Sequence, residues 1–322
     1  MRWDAEVCEE CGNDDASDGL SGCMDCVTSQ PERQWVRGLQ RPAVLFDEAP
    51  VTVPLTFISP ADVELRQVSA SMVASLQPRM SKAKWRPAPG RKLAYVVTLG
   101  KTLVGLLFFA SPVINLQARD SFLGLAGDPT KRGRALRHVM DLSVCVAAQP
   151  IAWHWNLGKL LALLACTIGD DFKSRYGDEL RWVTTTSLWG RGSQYNRVFR
   201  YLGLTKGHGH EHIDDATYLG MLEWMRDNGH EVPSCRFGSG SNPRMRRIAA
   251  YRKASGDRRV VLKHGLRRGI YIHEVIDGSK RREIVDLWFR RWGLPRYERT
   301  RSLPPPYVDG LSSKPHQLEA TA

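Results

Sequence analysis

Two cysteine pairs near the start of the chain have the spacing of a metal site. Cys8 and Cys11 form one Cys-x2-Cys motif, and Cys23 and Cys26 form another. In a reducing compartment such pairs indicate a tetrahedral Zn2+ site rather than disulfides, because each tight turn brings two thiolates to one ion. Four thiolate ligands leave no open coordination position, which argues against zinc catalysis. We expect a small structural zinc-ribbon module over residues 1–40, with a redox-active pair or an unfolded arm as the alternatives.

A predicted strand over residues 180–187 ends in hydroxyl side chains and leads into a turn rich in glycine and arginine. In α/β folds such strand ends present side chains to a crevice, where a tyrosine can donate a proton and arginines can bind phosphate. Alternatively, the hydroxyl groups only favour the strand and the arginines are solvated. The candidate catalytic residues of this segment are Ser187, Arg191, Ser193, Tyr195 and Arg197.

A carboxylate and a hydroxyl alternate on another predicted strand, which covers residues 139–148. Asp141 and Ser143 are two positions apart, so both side chains face the same side of this strand. A carboxylate buried there would have a raised pKa and could act as a general base. The alternative is that backbone groups satisfy the carboxylate. We count both residues among the catalytic candidates.

The segment after this strand predicts the start of a helix. The first N–H groups of a helix have no partners within it and can bind a pyrophosphate. Gly158 permits close approach, and Lys159 adds positive charge. The alternative is an ordinary helix that begins at the N-cap residue Asn156 and is buried. The candidate cofactor-binding residues are His154, Asn156, Gly158 and Lys159.

The elements that must position these residues follow from hydrophobic periodicity and turn signals. A hairpin is predicted around Gly100 and Lys101, and a helix is predicted to begin at Ser59 and Pro60. Residues 149–155 are predicted to form a loop. Further helices are predicted over residues 156–173, 192–201 and 280–292, and further strands over residues 260–263 and 269–275.

This order of elements predicts an α+β, or mixed α/β, fold. We expect a mixed central sheet flanked by helices, because a doubly wound sheet would alternate strand and helix throughout. The arrangement resembles that of the GNAT (acyl-CoA N-acyltransferase) fold. The predicted organisation is the zinc module over residues 1–40, a GNAT-like domain over residues 51–275, and a basic helix with a Pro-rich tail over residues 276–322.

The charge balance indicates a polyanionic partner. The 322 residues include 46 Lys and Arg against 34 Asp and Glu, which gives a net charge of +12 and a pI near 9.5. Cations and aromatic residues interleave in two segments, from Lys82 to Arg91 and from Arg244 to Arg259. Such segments suit contact with phosphates and stacking on bases, although they can also be solvated faces. We therefore expect nucleic acid, and DNA above all, as the partner.

The apolar runs of the sequence are too short for a membrane. None approaches the roughly 18 residues that a membrane span requires, and the first residues lack the apolar core of a secretory signal. We therefore predict a cytoplasmic protein with no membrane partner. The sequence leaves the oligomeric state open.

The stretch from Lys92 to Gly207 resembles the DruA family of the Druantia anti-phage system. The resemblance depends on the predicted hairpin and on a series of short motifs. These are Ala118-Arg119-Asp120, Asp141-Leu142-Ser143, Asn156-Leu157, Ser174-Arg175-Tyr176-Gly177 and Gly192-Ser193-x-Tyr195-x-Arg197. The same region is similar to divergent GNAT proteins and, in style, to the Mom-like proteins with which phages modify adenine in DNA.

The resemblance implies a GNAT-like transferase that modifies bases of DNA, in a phage or in anti-phage defence. Acyl-CoA would be the donor and would bind near residues 156–159, with Asp141 and Tyr195 lining one acceptor cleft. Transfer to an exocyclic amine would require the base to leave its stack. One alternative is the same fold without catalysis, binding DNA or RNA for a defence system. A second alternative is an acetyltransferase for a small molecule or a protein.

Overall fold

The computed structural model of the protein describes residues 58–77, 80–81, 90–207, 209–210, 213–234, 242–260, 262 and 267–303. The predicted zinc module, with its four cysteines, lies outside these residues, as does most of the basic segment from Lys82 to Arg91. The described residues form helices and a sheet, so the prediction of a mixed α/β fold is confirmed at this level. None of the helices in these residues combines the length and the apolar character that a membrane span requires.

Seven strands follow the order β1-β2-β3-β4-β5-β7-β6 in the sheet. The strands are β1 (Val63–Val68), β2 (Lys92–Leu99), β3 (Thr102–Ala110), β4 (Val139–Ala147), β5 (Trp182–Ser187), β6 (Arg200–Leu204) and β7 (Gly269–Glu274). The helices are α1 (Ala70–Leu76), α2 (Gln117–Phe122), α3 (Pro129–Leu136), α4 (Ile151–Trp155), α5 (Leu157–Leu164), α6 (Gly169–Tyr176), α7 (Asp215–Asp227), α8 (Pro243–Ser255), α9 (Arg281–Trp288) and α10 (Leu294–Thr300).

The chain divides into two compact units. The first unit comprises residues 1–111, 142–177 and 275–322, and the second comprises residues 112–141 and 178–274. The chain passes from the second unit to the first within β4.

The predicted hairpin is the centre of the first unit. Strands β2 and β3 pair antiparallel, and β1 pairs antiparallel with the other edge of β2. Helix α1 packs on this hairpin and buries Val73 against it. Helix α5 lies close to β3, because the side chain of Leu161 occupies the space left by the missing side chain of Gly105. The hairpin prediction is confirmed, with strand bounds within one residue.

The predicted helix from Ser59 onwards is wrong in its first half. Ser59 does cap a helical turn, but this is a short 3-10 turn over Pro60–Asp62, and the chain then forms β1. The helix proper, α1, begins after a second cap at Ser69, whose hydroxyl accepts the N–H of Met72. Pairing with β2 satisfies the backbone of Val63–Val68, and this tertiary gain outweighs the helical spacing of its apolar residues.

The region after β4 also differs from its prediction. Residues 151–155, predicted as a loop, form α4, and the predicted long helix from Asn156 is two helices, α5 and α6. Asn156 separates α4 from α5 with a left-handed backbone, φ 53°. The predicted C-terminal helix is confirmed over Arg281–Trp288, and it continues through a π turn, Phe289–Gly293, into α10.

The second unit contains an antiparallel group of three strands with β7 in the middle. Strand β5 pairs with one edge of β7 and β6 pairs with the other. Residues 205–268 connect β6 to β7 and include helices α7 and α8, which pack on each other around Met221 and Ile248. The prediction of a strand near Gly269 is confirmed.

The helix predicted over residues 192–201 is not present. The chain forms a 3-10 turn over Gly190–Gly192, then irregular turns, and enters β6 at Arg200. Arg197 adopts a left-handed backbone with φ 63°, which interrupts helical continuation. Burial of Tyr195 and Phe199 against β7 decides this conformation over local helical spacing.

Candidate functional site

The three strands β5, β7 and β6 have two distinct faces. Side chains directly opposite each other in an antiparallel pair lie on the same face, and successive residues alternate between faces. Thr184 pairs with Ile272, whereas Thr185 pairs with Tyr271. We call the first side the Asp141 face, because it contacts that carboxylate, and the second the Tyr195 face.

Asp141 is held at β5 by a hydroxyl group. The Thr184 hydroxyl donates a hydrogen bond to Oδ1 of Asp141 at 3.0 Å. Burial raises the pKa of Asp141 to about 6, against the opposing effects of this hydrogen bond and of the positive charge of Arg119. A carboxyl group with this pKa exchanges a proton near neutral pH, which is what a general base requires.

A buried ion pair on α2 includes the arginine that lowers the pKa of Asp141 through its charge. Arg119 is fully buried and donates from Nε and Nη2 to Oδ1 of Asp120, at 2.9 and 2.7 Å. Its Nη1 and Nη2 also donate to the carbonyl oxygens of Val113 and Ile114. The other oxygen of Asp120 accepts the N–H of Leu116 at 3.1 Å. The pair therefore closes the loop before α2 and fixes a positive charge near Asp141.

Aromatic contacts join α2 to the Asp141 face of the strands. Phe122 at the end of α2 packs edge-on against Trp182, with ring centroids 5.7 Å apart. The guanidinium of Arg200 lies over the same Phe122 ring, 4.8 Å from its centroid. Trp182 and Thr184 alternate with Val183 on β5, so both face α2. This packing positions the Arg119–Asp120 pair.

The Tyr195 face is aromatic and closely packed. Tyr195 contacts both Phe199 and Tyr271, with ring centroids 5.5 Å apart in each pair. Tyr271 also contacts Tyr201 on β6, and Phe199 contacts His273. Tyr195, Phe199 and Tyr271 are buried. The turn from Leu188 to Phe199 thus covers this face of the strands with an aromatic core.

The predicted catalytic serines of this turn bind backbone groups. The Ser187 hydroxyl accepts the N–H of Trp189, and the Ser193 hydroxyl accepts the N–H of Tyr195, both at 3.2 Å. The Tyr271 hydroxyl donates to the carbonyl oxygen of Gly190. These bonds hold the turn against β7. The predicted Arg191 and Arg197 are exposed, and the Arg191 guanidinium lies 4.8 Å from the centroid of Tyr201.

The structure therefore separates two residues that the sequence analysis placed in one cleft. Asp141 contacts Thr184, and Tyr195 contacts Tyr271, which is the partner of the next residue along β5. The two side chains lie on opposite faces of the strands, so the expectation of a shared cleft is wrong. Because the polar groups beside Asp141 are Thr184 and Arg119, the candidate site of the second unit is built from different residues than predicted.

The remaining predicted site residues lie in the first unit. The Ser143 hydroxyl donates to the carbonyl oxygen of Phe108 on β3 at 3.3 Å. His154 is buried, and its Nδ1 lies 3.3 Å from the hydroxyl of Thr300 on α10. Burial lowers the pKa of His154. Lys159 is buried as well.

The start of α5 lies beneath the C-terminal helices. Trp288 donates from its indole nitrogen to the carbonyl oxygen of Asn156 at 3.3 Å, and that oxygen also accepts the N–H of Lys159. Trp155 stacks on Tyr297 of α10 with ring centroids 4.3 Å apart. Asn156 and Gly158 are half-buried. The segment thus packs against the two C-terminal helices, α9 and α10.

Comparison with known proteins identifies the family. The sequence profile described as Druantia protein DruA matches residues 83–282, which is more than half of the chain. The chain belongs to the DruA family. It is also 31% identical to the Druantia protein DruA of Escherichia coli (strain UMEA 4076-1), in an alignment that covers 64% of this chain and 61% of that protein. The chain thus spans less than two thirds of the length of this curated relative.

The family resemblance drawn from the sequence is therefore confirmed. The DruA match includes every residue of the Asp141 face. Arg119 and Asp141, from two motifs that carried the resemblance, interact there through their charges. No role was predicted for Arg119 and Asp120 from the sequence. Their signal was a charged pair inside a short helix whose neighbours are apolar.

Proposed function

We propose that this member of the DruA family binds nucleic acid in anti-phage defence through exposed basic side chains of its second unit. The distribution of charge supports this proposal. By sequence, residues 112–141 and 178–274 contain 22 Lys and Arg against 13 Asp and Glu, whereas the rest of the chain contains 24 against 21. The second unit therefore carries most of the positive surplus, although it is the smaller. Uncompensated positive charge on one unit favours a polyanionic ligand.

Much of this surplus belongs to the connection between β6 and β7. Residues 205–268 contain 13 Lys and Arg against 7 Asp and Glu. Three arginines of α8 contribute to the fold, because their guanidinium groups bind carbonyl oxygens at the start of α7 or in the segment before α8. They are Arg244, Arg246 and Arg247.

Three exposed basic side chains of this connection, close together in sequence, form the proposed binding surface. They are Arg252 and Lys253 at the end of α8 and Arg258 in the turn that follows. Charges in such positions can contact phosphates without loss of folding contacts. Arg259 is also exposed, but its guanidinium binds the carboxylate of Asp257 at 3.0 and 3.1 Å.

Binding to a DNA duplex at several salt concentrations tests the proposal. We expect wild-type affinity to fall steeply with salt, and the triple alanine variant of Arg252, Lys253 and Arg258 to bind more weakly. Each lost phosphate contact reduces the salt slope by about one, so the triple variant should lose up to about three. The matched control replaces Lys101, Lys173 and Arg301, which are exposed in the first unit. Equal losses in both variants would contradict the assignment of the surface.

Group transfer to a base is a second candidate function, and Asp141 favours it. Within a GNAT-like or Mom-like transferase, its carboxylate would take the proton that an exocyclic amine loses on transfer. Mass spectrometry of nucleosides from cells that express the protein tests this role. We expect an adduct that is lost in Asp141→Asn and kept in Tyr195→Phe, since Tyr195 lies on the other face. Unmodified nucleosides together with salt-sensitive DNA binding would leave binding alone as the function.

Two of the four residues predicted to bind acyl-CoA do not fit that role. Helix α9 packs on α5, and the indole N–H of Trp288 binds the carbonyl oxygen of Asn156 at its start. His154 and Lys159 are buried, so neither offers its charge to a pyrophosphate at the surface.

We also propose the structural Zn2+ site at Cys8, Cys11, Cys23 and Cys26, on the spacing of the four cysteines. Metal analysis of the purified protein should find about one zinc per chain. Cys8→Ser should lose that metal, whereas Cys145→Ser, which changes a cysteine outside the two pairs, should keep it. Retention of zinc by Cys8→Ser would contradict the site.

A further inference from the structure

Large apolar side chains are exposed at one end of the strands of the second unit. Trp189 is 77% exposed and Leu188 is 54% exposed, directly after the end of β5. Leu204, the last residue of β6, is 45% exposed. Ser187 and Leu204 both pair with Gly269, so the ends of β5 and β6 flank the same residue of β7. The exposed residues therefore lie at one edge, which we call the Trp189 edge.

The backbone that carries Trp189 is fixed rather than loose. Its N–H donates to the Ser187 hydroxyl, and the next residue, Gly190, accepts a hydrogen bond from the buried Tyr271. Gly190 also lies directly against Gly269, where an added Cβ would come within 2.6 Å of the Gly190 carbonyl oxygen. Because the backbone beside Trp189 is held, only the two side-chain torsions of the indole have to be ordered when it binds a partner.

Positive charge surrounds this apolar edge. Arg191 follows Trp189 by two residues, and Lys206 follows Leu204 by two. Arg267 precedes Gly269 by two residues, and the chain beside it is paired, since the Thr205 N–H donates to the Arg268 carbonyl oxygen at 2.8 Å. Arg191, Lys206 and Arg267 are all exposed. An apolar protein partner would gain nothing from these charges, whereas a nucleic acid offers both a base to stack on and a phosphate to neutralise.

We propose that the Trp189 edge binds unpaired nucleotides, with the indole of Trp189 stacked on a base and the flanking cations on the phosphates. This inference rests on the proposed binding of nucleic acid and adds its form: the ligand is a single strand. Base stacking tolerates any sequence, because every base has a π face, and it requires an exposed ring.

Fluorescence anisotropy with a labelled single-stranded oligonucleotide, and with a duplex of equal length, tests the inference. Trp189→Ala should weaken binding of the single strand by about five- to 150-fold, the range that corresponds to one lost stacking contact. Trp189→Phe should recover much of the affinity, and duplex binding should change by less than about twofold. The control is Leu219→Ala, which removes a side chain that is 55% exposed on α7.

The outcomes separate this inference from the proposed function. If the wild-type protein binds neither oligonucleotide, the proposed function fails. If it binds both in a salt-sensitive manner and Trp189→Ala binds the single strand as tightly as wild type, the function stands and the stacking role is overturned. An equal loss on single strand and duplex would also overturn the preference for unpaired bases. An unchanged thermal midpoint of Trp189→Ala shows that the variant is folded.

Discussion

The two faces of the strands β5, β7 and β6 are packed by different means. On the Asp141 face, helix α2 brings the fully buried Arg119 and its partner Asp120 next to a carboxylate whose pKa is about 6. On the Tyr195 face, a turn brings aromatic rings against Tyr271. A buried charge requires partners that satisfy it, whereas aromatic rings pack mainly through apolar contact. The Asp141 face therefore holds a titratable group, and the Tyr195 face supports the turn that carries Trp189.

The largest effect is expected from removal of the buried guanidinium. Arg119→Ala deprives the Asp120 carboxylate of two donors and leaves the carbonyl oxygens of Val113 and Ile114 without this partner. Breaking a buried ion pair on one side costs about 3–5 kcal/mol. We expect a loss of that size in the free energy of unfolding, measured with urea.

The matched control for this change is Arg137→Ala. The Arg137–Asp178 pair has a similar geometry, but the Arg137 side chain is 66% exposed. An exposed pair contributes at most about 1 kcal/mol. If both variants lost the same stability, the Asp141 face would not depend on its buried pair.

The pH dependence of stability tests Asp141 itself. Its pKa in the folded protein, about 6, lies above the ordinary value of 3.8, so the folded state holds this proton where the unfolded chain has released it. The contribution of this group to stability is therefore present at low pH and is lost as the pH rises from about 4 to about 6. Asp141→Asn removes the titration.

We therefore expect the free energy of unfolding of Asp141→Asn, relative to wild type, to rise by about 2–3 kcal/mol between pH 4 and pH 7. Urea unfolding of both proteins at the two pH values measures this difference. A difference that does not change with pH would show that the carboxylate is not perturbed. The Asp141 face would then lose its chemical distinction from the other face.

A smaller effect is expected on the Tyr195 face from Gly269→Ala. The new Cβ would lie within 2.6 to 3.0 Å of three backbone atoms of Gly190, so the turn must move away from β7. Overpacking of this kind costs about 1–3 kcal/mol. Urea unfolding measures the loss, and binding of the single strand should weaken with it because Trp189 is displaced.

Gly192→Ala is the control for this change, because nothing lies within 4 Å of its added Cβ. It belongs to the same turn, and the substitution should change the free energy of unfolding by less than about 0.5 kcal/mol. Similar losses in the two glycine variants would mean that close contact with β7 does not fix the turn.

Local patterns predicted the elements whose own sequence already favours the observed conformation. The hairpin of β2 and β3 followed from two apolar runs around Gly100-Lys101, and β4, β5 and α9 followed from their own periodicity. Strand β1 and the turn before β6 did not follow. The apolar spacing of Val63–Val68 favours a helix, but pairing with β2 makes this segment a strand. Tyr195 and Phe199 have helical spacing, but packing of Tyr195 on Tyr271 holds them in a turn.

The candidate site shows the same division. The sequence alone determined the residue types: an aspartate on a strand, hydroxyl groups on the next one, a turn rich in arginine, and a positive surplus of +12. The match to the DruA family covers both strands and the turn. The tertiary structure decided which side chains meet, because the register of β5 on β7 sends Thr184 and Thr185 to opposite faces. Side chains two residues apart on a strand share a face and adjacent ones do not, so contact depends on pairing between strands distant in sequence.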